Sequence, residues 1–163
     1  MRIGIVSDTH GSVAALRRVI RQAPPVECWF HAGDYASDAN LLEQATGLKV
    51  YRVCGNCDRW HDNNAAKVDE FYELEGWSVW LTHGNRYLRN GGDHELAWWA
   101  RKLDQRIVVF GHTHVPLFQK DGDVYLINPG SPYNPRGGSK AGFAVLNLRK
   151  GMEPEVEFIT LEP

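Results

Sequence analysis

Apolar residues fall along this chain in short runs, each ending in a small polar turn. Ile3 to Val6 reads as a buried strand closing in Ser7-Asp8-Thr9-His10-Gly11. The period then changes. Val13, Leu16, Val19 and Ile20 share one helical face, with Arg17, Arg18 and Arg21 mostly off it, and Pro24-Pro25 stops the helix. Glu27 to His31 predicts a second strand, ending in Ala32-Gly33-Asp34. A helix from Asp38 to Ala45 follows, with Ser37 or Asp38 as its cap and Gly47 as its stop. Leu48 to Val53 makes a third strand before Cys54-Gly55-Asn56-Cys57-Asp58. This βαβαβ opening favours a parallel sheet with right-handed crossovers.

The second half changes character. Val68 to Leu74 and Trp77 to Leu81 flank a turn at Glu75-Gly76, and Asp93 to Leu103 has helical spacing. Ile107 to Phe110 is a strand ending in Gly111-His112-Thr113-His114. Val115 to Gln119 and Val124 to Ile127 bracket a hairpin turn at Asp121-Gly122, and Phe143 to Leu148 and Val156 to Leu161 add two more strands. Asn128 to Ser139, dense in Gly, Pro and Ser, resembles a linker, but strands continue beyond it; it reads as a functional loop inside a single domain spanning 1–163.

Composition narrows the classes. The chain has 163 residues, enough to form a core without disulfide or metal support. Lys plus Arg is 18 and Asp plus Glu is 20, so no basic excess points to nucleic acid. No run approaches the roughly 18 apolar residues of a membrane span, and the N-terminus lacks a signal-peptide core, which predicts a cytoplasmic protein. Three cysteines fit reduced thiols better than a disulfide framework.

Five segments share one design, a short strand followed by a Gly-flanked turn carrying Asp, Asn or His. They are Asp8-Thr9-His10-Gly11, Gly33-Asp34, Gly55-Asn56, Thr82-His83-Gly84 and Gly111-His112-Thr113-His114. Singly, each has an ordinary explanation: Asp8 as a helix cap, Gly33-Asp34 and Gly55-Asn56 as turns, His83 as a structural histidine. If the strands share a carboxyl edge, the turns converge and bring together Asp8, His10, Asp34, Asn56, His83, His112 and His114. Seven donors exceed the four that one zinc takes, and suit two divalent ions roughly 3.5–4 Å apart with a bridging carboxylate.

This ordered set resembles the calcineurin-like metallophosphoesterases over essentially the whole chain. Gly55-Asn56-Cys57-Asp58 and Asn128-Pro129-Gly130-Ser131 are similar to the small prokaryotic phosphodiesterase branch. The resemblance implies an α/β fold, a four-layer αββα sandwich with two mixed sheets face to face. It implies that Asp8, His10 and His114 hold one metal, Asn56, His83 and His112 the other, and that Asp34 bridges. The ions would be two per chain, manganese foremost, with iron, zinc, nickel or cobalt as alternatives. The implied activity is hydrolysis of a small phosphoester, a diester foremost, by in-line attack of activated water, with Asn56 orienting a phosphoryl oxygen and His10 assisting the leaving group. Two positions depart from larger members. Cys57 stands where many have a histidine, and Asn85 follows Gly84 where many have a second one.

Other residues carry weaker signals. Asp58 reads either as a clamp on a ligand imidazole or as a turn residue. Cys54-x-x-Cys57 lacks the context of a redox pair, and Cys54 reads as a buried strand residue. The tryptophans at 29, 60, 77, 80, 98 and 99 suit a core or an oligomer interface, leaving a homo-oligomer open. Trp98 and Trp99 cannot share one helix face, so one is expected to be exposed. Trp60-His61 could line a cleft, and Arg136 or Lys140 could receive a phosphate. The competing function is a non-catalytic, metal-binding scaffold of the same fold that binds protein partners.

Overall fold

A computed structural model describes residues 1–58, 66–89 and 92–162. The element order is β1 (Arg2–Val6), α1 (Val13–Gln22), β2 (Cys28–His31), α2 (Asp38–Thr46), β3 (Val50–Arg52), β4 (Asp69–Leu74) and β5 (Trp77–Thr82). Then follow α3 (Asp93–Lys102), β6 (Ile107–Val109), β7 (Pro116–Asp121), β8 (Val124–Pro129), β9 (Gly142–Asn147) and β10 (Glu155–Thr160). The strands form two mixed five-stranded sheets, ordered β10-β9-β1-β2-β3 and β4-β5-β6-β8-β7. The opening βαβαβ unit is parallel, as its pattern predicts. No helix among the described residues is long and apolar enough to cross a membrane.

Side-chain alternation explains the layers. Ile3, Ile5, Cys28, Phe30, Ala144 and Leu146 point one way from the first sheet. They meet Val79, Leu81, Ile107, Val109, Tyr125 and Ile127 from the second in one buried cluster. The opposite face of the first sheet presents Val6, Trp29, Val50, Phe143 and Val145 to Val19 of α1 and to Ala39 and Leu42 of α2. The opposite face of the second presents Trp80, Val108, Val124 and Leu126 to Leu96, Ala97 and Ala100 of α3. Two apolar faces per sheet require a cover on each side, and the result is helices, sheet, sheet, helix. The four-layer sandwich expected from the resemblance is therefore present.

Several local expectations change. Ser37 takes the cap position of α2 but its side chain makes no cap bond; the Asp38 carboxylate is turned instead toward the loop after β1. Val13 is exposed although it lies on the apolar stripe of α1. The second hairpin turns at Gly122-Asp123, one residue later than expected, since Asp121 pairs with Val124 and Gly122 supplies the positive φ. Cys54 is neither in a strand nor buried: β3 ends at Arg52, and the half-buried Cys54 donates its N–H to Lys67 O. Both Trp98 and Trp99 are exposed, at 49% and 36%. They pack edge to face on each other outside α3.

Gly4 shows how tight the outer core is. It pairs with Trp29 across β1 and β2, and a Cβ on it would run into the Trp29 ring. That ring is held by Phe143 at a centroid distance of 6.0 Å. We expect Gly4→Ala to destabilise the fold by about 1–3 kcal/mol, the usual cost of overpacking a closed core. Urea unfolding would show this as a lower midpoint with an unchanged slope.

Candidate metal centre

The five Gly-flanked turns do meet, but across two sheets. Asp8, Asp34 and Asn56 follow β1, β2 and β3 of the first sheet. His83 follows β5 of the second, and His112 and His114 follow β6. The turns bond one another directly. Asp8 donates its N–H to Gly33 O at 3.0 Å, and Gly111 donates to His83 O at 3.1 Å. Gly111 and Gly55 lie where nothing larger fits, because a Cβ on Gly111 would strike Ser7 Oγ and one on Gly55 would strike Asp34 Oδ1.

The backbone here is held in a costly shape. Asp8, His10, Asp34, His112 and His114 all have φ between 48° and 68°, in the left-handed region, as does Tyr35. Such residues cost of order 1 kcal/mol each, and they persist only where surrounding contacts over-determine them. Sequence alone shows no trace of this strain. It aims successive side chains of one short loop at a common point.

Asp8, His10, Asp34 and His114 each bring one potential ligand atom to within 4.8 Å of all the others. His114 Nε2 lies 3.1 Å from Asp8 Oδ1, and His10 Nε2 lies 3.8 Å from Asp34 Oδ2 and 3.4 Å from His114 Nε2. Beside this group, His83 Nε2 lies 3.3 Å from Asp34 Oδ1, 3.2 Å from Asn56 Oδ1 and 4.0 Å from Asp8 Oδ1. The His112 ring sits 5.3 Å from that of His83, and the backbone N–H of His112 donates to Asp8 Oδ2 at 3.1 Å. All seven candidate side chains thus meet in one place, with Asp34 between the two groups.

Tautomers give this geometry its meaning. His114 Nδ1 is 2.6 Å from Asn134 O, and His83 Nδ1 is 2.8 Å from Ala32 O. A carbonyl can only accept, so both Nδ1 atoms carry hydrogen, and in the neutral rings both Nε2 atoms present lone pairs. Those lone pairs face carboxylate oxygens. With His114 neutral, the buried Asp8 Oδ1 has no hydrogen-bond donor. Acceptors crowded against acceptors in a buried space need a positive charge between them, supplied by protons or by a cation. Burial opposes the charge on Asp8, but His114, the charge of His83 and the Ser7 hydroxyl outweigh it and hold the carboxyl below its usual range. Asp8 in turn raises the His114 imidazole above its usual value. Burial, reinforced by His83, lowers His112. The donor set of carboxylate, imidazole and amide suits divalent first-row ions.

A supporting network went unread in the sequence. His31 is fully buried; burial lowers its imidazole and keeps it neutral. Its Nδ1 accepts from Gly33 N–H at 3.3 Å, so Nε2–H donates to Thr9 Oγ1 at 3.0 Å. Thr9 then donates to Asp38 Oδ2 at 2.6 Å, and the same oxygen accepts from Gly11 N–H at 2.9 Å. One chain of bonds thus ties β2, the loop after β1 and the start of α2. Behind it, Ser131 Oγ donates to Asp8 O at 2.8 Å and Asn128 Nδ2 to Gly111 O at 2.7 Å. The Gly- and Pro-rich loop after β8 is therefore a brace for the centre.

The remaining candidates separate. Asp58 is a turn residue: it accepts from Gly55 N–H at 2.6 Å and Ala36 N–H at 2.7 Å, and no imidazole bonds to it among the described residues. Cys57 reaches Asp34 Oδ1 through its backbone N–H at 2.8 Å. Burial, and then Asp34, push its thiol up to about 11. Asn56 Nδ2 points at Cys57 Sγ, 3.4 Å away. Asn85 is half-buried in the turn after Gly84 and makes no side-chain hydrogen bond among the described residues. Arg136 and Lys140 are exposed; Arg136 donates its backbone N–H to His114 O at 3.2 Å. Trp60 and His61 lie outside the described residues.

Comparison with known proteins places the chain in a family. The model of the calcineurin-like phosphoesterase superfamily domain matches residues 1–151. A probable metallophosphoesterase of Methanothermobacter thermautotrophicus is 36% identical over 83% of this chain and 80% of its own. Phosphodiesterase YfcE of Escherichia coli is 29% identical over 90% and 88%. Among solved structures, a predicted phosphoesterase of Streptococcus pneumoniae superposes with a TM-score of 0.79 at 26% identity, covering 99% of this chain and 92% of its own. Vps29 of Entamoeba histolytica, solved with Zn2+, shares the fold at a TM-score of 0.76 and 19% identity, covering 98% of each chain. With a family model matching nearly its whole length and the family's ordered turns meeting at one point, the chain belongs to the calcineurin-like phosphoesterase superfamily.

Proposed function

We propose that this protein is a di-metal phosphodiesterase acting on a small substrate. The observation that carries this reading is the pair of imidazole lone pairs, on His114 and His83, held against Asp8 and Asp34 by backbone carbonyls. That arrangement is stable only around positive charge.

In this reading Asp8, His10 and His114 hold one divalent ion, Asn56, His83 and His112 hold a second, and Asp34 serves both. Such ions would supply hydroxide at neutral pH and offset the charge on the phosphoryl oxygens. Asn134 O and Ala32 O keep the two imidazoles in the ligating tautomer. The N–H of Cys57 shares the charge of Asp34 Oδ1, and the His31–Thr9–Asp38 chain fixes the loop carrying His10. His10 turns Nε2 toward the cluster, and its Nδ1 has no partner among the described residues. That edge is free to pass a proton to the leaving oxygen. The Asn56 amide lies at the exposed side, where it can orient a phosphoryl oxygen. The competing reading, a non-catalytic metal-binding scaffold of the same fold, predicts metal uptake without hydrolysis, and turnover separates the two.

We expect two manganese ions per reconstituted chain by elemental analysis and abolition of phosphodiester hydrolysis by chelation; one ion or fewer would reject the di-metal reading. Metal uptake should release protons. The His114 pKa is raised, so the metal-free ring stays protonated above its ordinary range, and a cation must displace that proton. Affinity should therefore fall as pH drops through that range and level off above it, with calorimetric heats that scale with buffer ionisation enthalpy.

Asp34→Asn keeps size and removes the shared charge. The expected loss in kcat/KM is about a hundredfold or more, as for removal of a preorganised electrostatic element; near-normal turnover in excess metal would reject the bridging role. Cys57→Ser should leave diester hydrolysis largely intact, since the backbone N–H keeps its bond to Asp34 Oδ1 and a serine hydroxyl can take the thiol's place beside that carboxylate. Matched aryl monoester and diester substrates test the substrate class in both proteins, with the diester expected to be preferred. A collapse in the Ser variant at unchanged metal content would instead give the thiol a catalytic role.

A further inference from the structure

Two partly exposed tyrosines flank His10 at the metal centre. Tyr35 follows Asp34 in the loop after β2 and is 42% exposed; Tyr133 comes from the loop after β8 and is 56% exposed. Both face one imidazole from different loops, with ring centroids 5.7 Å and 6.5 Å from that of His10. Neither hydroxyl makes a hydrogen bond among the described residues. Large aromatic rings stabilise a fold by leaving water, so two of them left half open at a polar site contribute less to folding than buried rings would.

Tyr35 also costs stability where it is. Its φ is +63°, in the left-handed region that glycine or asparagine occupies cheaply and a bulky residue does not. The same strained turn that delivers Asp34 fixes the direction of the Tyr35 ring. The loop that carries Tyr133 also carries Arg136, exposed and tethered by its backbone N–H to His114 O. Its guanidinium has no carboxylate partner among the described residues. A guanidinium without a carboxylate partner, on a loop joined to a ligand histidine's backbone, fits a phosphate oxygen.

We propose that Tyr35 and Tyr133 form a stacking subsite for a flat aromatic group on one ester arm of the substrate, with Arg136 holding the phosphate between that arm and the metals. The proposal rests on the phosphodiesterase reading and names its substrate class. Nucleotide bases and simple aryl groups share this chemistry.

The test is equilibrium binding to the manganese-loaded protein, with inorganic phosphate, ribose 5-phosphate, phenyl phosphate and adenosine 5′-monophosphate as probes. The nucleotide should bind at least about tenfold more tightly than ribose 5-phosphate, the scale of one base stacked on an aromatic side chain. Similar gains for phenyl phosphate would mark any flat ring as sufficient, and a gain confined to the nucleotide would mark the nucleoside. Tyr133→Leu and Tyr35→Asn should each reduce the aromatic advantage severalfold, and together abolish it, with inorganic phosphate affinity unchanged. Tyr35→Asn should also leave the melting temperature unchanged or higher, because it relieves the left-handed strain. Arg136→Gln should weaken all four probes alike. Equal affinity for the nucleotide, phenyl phosphate and ribose 5-phosphate, or an advantage that survives in the double tyrosine variant, would overturn the subsite alone. A loaded protein that binds no phosphate at all would overturn the phosphodiesterase reading with it.

Discussion

The structure turns on a confrontation of like with like. In the neutral rings, two buried imidazole nitrogens with their hydrogens on the far side face two buried carboxylates. Water cannot dilute these contacts, because Asp8 and His83 are fully buried and Asp34 and His114 nearly so. Each contact is repulsive until positive charge enters, so the fold must hold the groups in place against their own electrostatics. The sandwich supplies that resistance. Five strand ends from two sheets are locked by backbone hydrogen bonds from one turn to the next, and the apolar faces behind them are packed on both sides. Protons can satisfy the site in the metal-free protein, as the raised His114 and lowered Asp8 indicate, and a divalent ion would satisfy it with fewer particles and more ligands.

Backbone strain and steric closeness belong to the same problem. A ligand cluster drawn from five loops needs each loop to turn within a few residues. Left-handed residues achieve this at Asp8, His10, Asp34, His112 and His114. Because side chains cannot be dropped at ligand positions, the relief falls on their neighbours: Gly55 and Gly111 have no Cβ exactly where Asp34 Oδ1 and Ser7 Oγ need the space. The glycines beside the ligand residues are thus consequences of ligand crowding as much as of chain reversal.

Much of this was legible before any coordinates. Short apolar runs such as Ile3 to Val6, Glu27 to His31 and Trp77 to Leu81, and period 3.6 in Leu16 and Val19, located most elements within a residue or two. The ordered turns pointed to convergence, though periodicity could not show that the strands divide three and two between facing sheets; that came from family resemblance. The supporting chain His31–Thr9–Asp38 stayed hidden because each member looked ordinary: a strand-end histidine, a loop threonine, a helix-start aspartate. Their relation is tertiary, crossing 22 and 29 residues of sequence. Cys54 was misread because β3 ends early, where its N–H pairs with Lys67 rather than with a strand.

Asp38 shows why such relations escape a reading of local pattern. Next to Ser37 at the start of an apolar stripe, an aspartate is expected to cap or to favour the helix dipole. Its carboxylate instead accepts from Gly11 N–H and Thr9 O–H, so its charge is spent on the loop that carries His10. Through Thr9 the same oxygen sets the donor direction of His31, whose other nitrogen receives Gly33 N–H beside Asp34. A residue outside the metal cluster therefore constrains two loops within it, and it does so only because His31 is buried enough to stay neutral. Charged, the His31 ring would carry hydrogen on both nitrogens, lose its acceptor for Gly33 and release the turn that aims Asp34. Neutrality of one buried ring is thus a geometric condition on the centre.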